Sequence, residues 1–243
     1  MKYEIKGGSF PILECTLNKG ESMITQSGGM SWRDPEITME TSSNGGLGKM
    51  VGRLFTKEKL FQNIYTAEKD GAKIVFGTCV PGSIKAVPLT KGKSLIVQKS
   101  SFLASYGNID VSTFFNKKIG VGIFGGEGFI MQKVTGEGIV FLEIDGTEVE
   151  FELKEGEQKY LSTGYLVAMD ETCSIDIKAH KGVKNILLGG EGIFDTVVTG
   201  PGKVTVHTMP IARLADSIIP YIPTKTNSNG DTASTIVGMF NNN

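Results

Sequence analysis

Gly125-Gly126-Glu127-Gly128 and Gly189-Gly190-Glu191-Gly192 are two nearly identical stretches of this chain. Each continues into a second matching stretch, Val134-Thr135-Gly136-Glu137-Gly138 in one case and Val198-Thr199-Gly200-Pro201-Gly202 in the other. The offset is constant, because 189 − 125, 199 − 135 and 202 − 138 are each 64. A constant offset of this kind indicates that one structural unit has been duplicated.

A second repeated element precedes these stretches and occurs three times. It consists of a Leu, two polar residues and a Gly, at Leu17-Asn18-Lys19-Gly20, Leu89-Thr90-Lys91-Gly92 and Leu153-Lys154-Glu155-Gly156. The offsets are 72 (89 − 17) and 64 (153 − 89). In each copy we expect the Leu to end a strand, the polar-Gly pair to form the turn, and an apolar residue to enter the next strand. With Gly45-Gly46-Leu47-Gly48 as a diverged Gly-rich element, the chain is predicted to hold three units of one design.

Hydrophobic periodicity assigns the units to the all-β class. The segment Glu148 to Leu153 alternates charged and apolar residues strictly, as expected for a strand with one face toward a core, and Lys203 to His207 does likewise. The 32 Gly against 8 Pro indicate many tight turns. Helical spacing is rare: Lys49 to Phe61 could hold a helix, and Ile211 to Ile218 is predicted to form one that Pro220 stops.

We therefore predict one all-β module over residues 1–220, followed by a tail over 221–243. The units are placed at about 1–80, 81–145 and 146–220, each a short β-sandwich-like repeat. The tail is polar until a small apolar patch at Ser234 to Phe240. Such a patch docks on its own domain or reaches a neighbouring subunit; the first is favoured, since termini that pack usually pack locally.

The Gly-rich elements are interpreted as structural. Phosphate-binding Gly loops lead into a helix, whereas a strand is predicted to follow these. The structural turn, bend or bulge glycines are Gly20, Gly92, Gly156, Gly125, Gly126, Gly128, Gly189, Gly190 and Gly192. Glu127 and Glu191 recur in two units, so a carboxylate pair for acid–base chemistry remains open as a weak candidate site, although the first unit has Leu47 there.

The residues that could bind metal or attack a substrate are few and dispersed. His207 stands 64 residues after Glu143, and a position that accepts either residue is expected to be solvated; His180 is expected in a turn. We predict no metal site, no cofactor and no catalytic residue. The cysteines are expected to be reduced and mostly buried, as in a cytoplasmic protein; they are Cys15, Cys79 and Cys173.

Surface features do not identify a ligand. The formal net charge is −1 and the basic residues are scattered, which argues against nucleic acid. The acidic ladder formed by Glu148, Glu150 and Glu152 is interpreted as a solvated strand face. Trp32 is interpreted as a core anchor in preference to a binding platform. The start of the sequence has no apolar signal segment, and no apolar run approaches the ~20 residues of a spanning helix.

In combination, several of these motifs resemble a known family. They are Gly28-Gly29-Met30, Pro81-Gly82, Gln98 with Phe102-Leu103-Ala104, and Gly189-Gly190-Glu191-Gly192 with Thr199-Gly200-Pro201-Gly202. The chain over roughly 1–220 is similar to the bacterial branch of the mitochondrial-biogenesis (altered inheritance of mitochondria) family. The resemblance implies three pseudo-repeats of a short double-stranded β-helix with pseudo-threefold symmetry, akin to the tryptophan RNA-binding attenuator protein. It supplies no catalytic residues.

Three hypotheses for function remain. The first is a non-enzymatic structural or interaction protein, a scaffold for protein partners or a homo-oligomer, with peripheral membrane association left open. The second is a module that binds a small ligand or RNA, by analogy of fold alone. The third is an enzyme, which would need a concave pocket that gathers carboxylates such as Glu127 and Glu191.

Overall fold

A computed structural model describes residues 1–26, 28–43, 61–117, 128–179 and 194–222 of the chain. These residues form seventeen strands and one α-helix, α1 (Ile211–Ile218), which a 3₁₀ turn (Ile219–Tyr221) extends. The strands are β1 (Lys2–Lys6), β2 (Ile12–Leu17), β3 (Ser22–Gln26), β4 (Met30–Arg33), β5 (Ile37–Ser43), β6 (Phe61–Ala67), β7 (Ala72–Gly77), β8 (Gly82–Leu89), β9 (Ser94–Gln98), β10 (Phe102–Lys117), β11 (Phe129–Asp145), β12 (Glu148–Leu153), β13 (Gln158–Ser162), β14 (Leu166–Asp170), β15 (Ser174–Ala179), β16 (Phe194–Thr199) and β17 (Gly202–His207).

The predicted all-β class is confirmed, and α1 lies where the spacing of Ile211 to Ile218 predicts a helix. The other predicted helix, Lys49 to Phe61, lies outside the described residues except for Phe61, which begins β6. The strands form three antiparallel sheets. Their orders are β1-β2-β7-β4, then β12-β17-β14-β9-β11-β10-β3-β6-β5 with β8 also paired to β11, and β13-β16-β15.

One pairing scheme occurs in three stretches of the chain. A strand that ends in the repeated Leu pairs with a central strand, so that Leu17 lies opposite Ala72, Leu89 opposite Gly138 and Leu153 opposite Gly202. The other edge of each central strand pairs with β4, β10 or β14. Each of these pairings has a β-bulge at the same position, namely Met30/Trp32, Phe102/Ala104 and Leu166/Ala168. The symmetry of the three stretches about a common axis stays a prediction.

The repeated turns lie between β2 and β3, β8 and β9, and β12 and β13. Each is closed by a backbone hydrogen bond of 3.0 Å, which the amides of Glu21, Lys93 and Glu157 donate to the carbonyls of Asn18, Thr90 and Lys154. The flanking strands do not pair with each other within the described residues, so each turn carries the chain onward and does not form a hairpin.

The core consists of three buried clusters of apolar side chains. The first surrounds Phe76 and Phe141, the second Phe129 and Met131, and the third Val97 and Leu142. β11 contributes to all three clusters, since Phe141, Phe129 and Leu142 all belong to it. This long strand therefore takes part in each of the three clusters, and Asp145 at its C-terminal end makes polar contacts with distant segments of the chain.

Candidate functional site

The repeated turn glycines adopt a backbone conformation that favours Gly. Gly20, Gly92 and Gly156 have φ angles of +84°, +80° and +74°, and a Cβ atom at each position would meet open space. The backbone angle, and not crowding, therefore requires Gly at these turns. Gly128, just before β11, has a φ of +86°.

The remaining candidates lie outside the described residues. These are the glycines Gly125, Gly126, Gly189, Gly190 and Gly192, the weak candidate pair Glu127 and Glu191, and His180. Their structural and acid–base roles stay predictions.

His207 is buried, so the prediction that it is solvated is wrong. Only 3% of its surface is exposed, at the C-terminal end of β17. Its Nδ1 accepts a hydrogen bond of 3.2 Å from the Asp145 backbone N–H, which leaves Nε2 as the protonated nitrogen that faces the Gly164 carbonyl oxygen at 2.7 Å. These two bonds explain the burial, because both polar atoms of the ring are satisfied inside the fold. They come from residues that are distant in sequence, which the alignment with Glu143 could not reveal.

Two carboxyl groups near the end of β11 influence each other, and one of them, that of Asp145, lies beside this imidazole. Glu143 and Asp145 are separated by one residue, and Asp145 Oδ2 lies 3.9 Å from His207 Nδ1. We call these three residues the carboxyl–histidine cluster. Glu143 Oε1 accepts a hydrogen bond of 2.7 Å from the Cys79 backbone N–H, and Asp145 Oδ2 accepts one of 3.1 Å from the Ile211 N–H. The cluster therefore ties the loop before β8 and the start of α1 to the end of β11.

Burial changes the acidity of both carboxyl groups. It raises the pKa of Glu143 from its ordinary value of 4.5 to about 7; the negative charge of Asp145 adds to this rise, and the bond from the Cys79 N–H opposes it. Burial likewise raises the pKa of Asp145, against the opposing effects of His207 and the Ile211 N–H. The nearby Cys79 thiol is exposed, and its pKa is raised by desolvation and by the charges of Glu143 and Asp145.

The cluster is suited to proton uptake more than to catalysis or metal binding. Both nitrogens of His207 are engaged with backbone groups, so neither is free to act as a ligand or a general base. Within the described ranges, no three His, Cys, Asp or Glu residues could hold a metal ion together. Glu143 is the group that would change charge near neutral pH.

Trp32 is exposed, so its interpretation as a core anchor is wrong. It is 55% exposed, on β4, the last strand of its sheet. The same bulge position holds Ala104 in β10 and Ala168 in β14, and both alanines are buried. An indole is much larger than a methyl group, so a pocket that buries Ala cannot accept it. Neither the bulge nor this equivalence is visible in the local sequence around Trp32.

The acidic ladder lies on β12, an outer strand of its sheet, and is neutralised in part by lysines. Lys85 forms ion pairs with Glu148 and, at 2.7 Å, with Glu150, and Lys203 lies 3.9 Å from Glu150. The predicted solvated face is therefore in part a charge network, in which Lys85 bridges two of the three carboxylates. The three cysteines are unpaired; Cys15 and Cys173 are buried as predicted, whereas Cys79 is exposed.

The C-terminal end of the described chain exposes a row of apolar side chains. Ile211 is 53% and Tyr221 85% exposed, and Ile218, Ile219 and Ile222 are also exposed. The start of α1 is held by the Asp145 carboxylate, and the Met209 N–H donates a bond of 3.2 Å to the Asp145 carbonyl. In the part of the chain that the structure describes, no helix is long and apolar enough to cross a membrane.

Comparison with known proteins shows similarity along most of the chain. A family model described as mitochondrial biogenesis AIM24 matches residues 3–209. An uncharacterized protein of Streptococcus pyogenes serotype M6 is 27% identical over 226 residues, which cover 90% of this chain and 89% of the relative. A crystal structure of a Streptococcus pyogenes protein from a structural genomics programme has a TM-score of 0.71 at 22% identity, and the match covers 91% of this chain and 99% of that one. This last likeness concerns the fold alone.

Proposed function

The chain belongs to the mitochondrial biogenesis AIM24 family, and we propose that it is a non-enzymatic interaction protein, a scaffold that binds protein partners through α1 and the turn after it. The observation that carries this proposal is the exposed apolar row from Ile211 to Ile222. Contiguous apolar surface of this kind marks sites of protein association. Its three unpaired cysteines suit the cytoplasm, where we place it.

The geometry of α1 supports recognition by a partner groove. Ile211, Leu214, Ala215 and Ile218 follow the i, i+3, i+4, i+7 spacing of a single helix face, which is the pattern that an amphipathic helix presents to a hydrophobic groove. The helix is anchored at its first residue by Asp145, so it is presented in a fixed orientation and binding costs less ordering entropy.

Charge favours a protein over a lipid surface as the partner. Helices that bind membranes carry several Lys or Arg residues on the polar face, which attract anionic lipids. The sequence of α1 has one Arg and one Asp, so it provides no net positive charge. The engaged nitrogens of His207 support the non-enzymatic part of the proposal, since this imidazole is not free to act as a base.

Affinity capture with matched variants tests this function. The full chain is used as bait in an extract of the cells that produce it, beside Ile218→Ser and the control Val149→Ser. Both residues are exposed aliphatic side chains, at 49% and 43%, but Val149 lies on β12. We expect Ile218→Ser to recover about tenfold less of a specific protein partner, and Val149→Ser to recover as much as the wild type.

Circular dichroism of both variants must match the wild type for the comparison to hold. Equal recovery by Ile218→Ser and the wild type would contradict the proposal. Recovery of RNA in place of protein, lost as salt is raised, would replace it with the RNA-binding alternative.

A further inference from the structure

The pairing of the three repeated stretches leaves two strand edges unmatched. The outer edge of β10 pairs with β3, and that of β14 pairs with β9. By the same scheme the outer edge of β4 would pair with β13. Within the described residues it does not: β4 ends the sheet β1-β2-β7-β4, and β13 begins the sheet β13-β16-β15. We call these two edges the open seam.

The two formed seams specify the register that the open seam would have. Ser105 pairs with Ile24, and Met169 pairs with Ile96. Subtracting the repeat offsets of 72 and 136 (72 + 64) from Ser105 and Met169 gives Arg33 in both cases. Adding 136 to position 24, or 64 to position 96, gives Tyr160 in both cases. Two independent pairings thus place Arg33 opposite Tyr160.

The neighbouring pairs follow from the same arithmetic. When the repeat offsets are applied to two more observed pairs, both predict that Asp34 lies opposite Lys159. These pairs are Tyr106 with Met23 and Asp170 with Leu95. Ala168 with Val97 maps to Trp32 opposite Leu161.

The side chains at these positions are chemically complementary. Asp34 and Lys159 carry opposite charges, which stabilise directly opposed strand residues. Arg33, which donates a hydrogen bond to the Ile37 carbonyl, would lie opposite Tyr160, whose ring has the Lys178 ammonium 5.1 Å from its centroid. Trp32 at 55% and Tyr160 at 56% exposure are the large aromatic side chains that protein interfaces bury.

We propose that β4 of one molecule pairs with β13 of a second copy of this chain, and reciprocally, in a two-fold dimer with two such seams. The formed seams show that an edge of the β4 type accepts a strand of the β13 type. The occupant is a second copy because, in the described part of one chain, β4 and β13 end two separate sheets and do not pair with each other. Two-fold reciprocity pairs both edges of the open seam in both molecules, so the contact is closed and does not propagate into a filament. This dimer goes beyond partner binding at α1, since the two surfaces share no residue.

Sedimentation velocity of the full chain over about a hundredfold range of concentration tests the dimer. We expect a monomer at low concentration and a dimer at high concentration. Trp32 is the only tryptophan, so its emission should shift to shorter wavelength over the same range. Trp32→Ala should raise the dimer dissociation constant about tenfold or more. The control Tyr221→Ala also removes an exposed aromatic ring, 85% exposed, and should leave this constant unchanged.

Cysteine cross-linking then tests the register. Arg33→Cys and Tyr160→Cys are made separately in a Cys79→Ser background, because Cys79 is the exposed native thiol. Oxidation of the mixture should give a disulfide-linked dimer, whereas each variant alone should not cross-link. The proposal is overturned if the chain stays monomeric at all concentrations. It is also overturned if a chain that carries both Arg33→Cys and Tyr160→Cys forms the disulfide within one molecule. Either result leaves partner capture through α1 untouched, so the two proposals fail separately.

Discussion

Replacing Glu143 with Gln should remove most of the pH dependence of stability near neutrality. The pKa of Glu143 is raised from 4.5 to about 7 in the folded protein, so the folded state holds a proton that the unfolded chain has released. The stabilisation from this proton is complete below the unfolded pKa and is lost as the pH rises through the folded pKa. The amide side chain of the Glu143→Gln variant would keep an acceptor for the Cys79 N–H and cannot ionise.

The size of the effect follows from the shift. A difference of about 2.5 pKa units corresponds to ~3.4 kcal/mol at ~1.36 kcal/mol per unit, and the partial exposure of Glu143 reduces this to about 1–2 kcal/mol. The variant should therefore match the wild type at about pH 5 and exceed its free energy of unfolding by about 1–2 kcal/mol at about pH 8. Asp145, whose pKa is also raised, should leave a smaller slope of the same sign.

Urea unfolding followed by far-ultraviolet circular dichroism at several pH values measures these free energies. Glu137→Gln is the matched control, because Glu137 lies on the same strand with its side chain exposed. It should keep the pH dependence of the wild type. The reasoning is refuted if Glu143→Gln and the wild type lose stability equally between about pH 5 and about pH 8.

Three further substitutions have expected outcomes. Gly156→Ala should lower the free energy of unfolding by about 1 kcal/mol because of the positive φ, whereas Gly8→Ala, at an open position without positive φ, should be close to neutral in thermal unfolding. Phe76→Ala should cost about 3–5 kcal/mol in urea unfolding, because it empties a fully buried site, while the exposed Phe10 should tolerate Ala. Asp145→Ala should speed hydrogen exchange at the first amides of α1 about tenfold, since their anchor is lost; unchanged exchange would show that the anchor is dispensable.

Local sequence signals predict the elements of this fold well. The strand ends at Leu17, Leu89 and Leu153 and the turn glycines that follow are encoded within a few residues, and the chain repeats them at countable offsets. The helix at Ile211 to Ile218 is encoded by its own spacing and by Pro220. Such features need no tertiary partner to be recognised.

The polar cluster could not be predicted in the same way. His207 is buried because an amide 62 residues earlier and a carbonyl 43 residues earlier satisfy its ring. Glu143 has a raised pKa because it is largely buried, and the hydrogen bond that it accepts comes from an amide 64 residues earlier. The repeat does align Glu143 with His207, and in the structure Asp145 lies beside His207 and contributes to the raised pKa of Glu143. Their shared position was the available signal, but equivalence alone does not distinguish a buried position from a solvated one.

The exposed Trp32 differs from the residues at the two equivalent bulges, and this difference bears on the proposed dimer. Where the bulge holds Ala, at Ala104 and Ala168, the alanine is buried and the outer edge of its strand is paired. Where it holds Trp, the side chain is exposed and the edge is unpaired within the described residues. A strand edge without a neighbour leaves backbone donors and acceptors for another chain, and an exposed aromatic ring beside it adds apolar area to the contact. Trp32 lies at the open seam, whereas the equivalent alanines lie at the two formed seams. Self-association would therefore be encoded by a residue whose local sequence favours a position in the core.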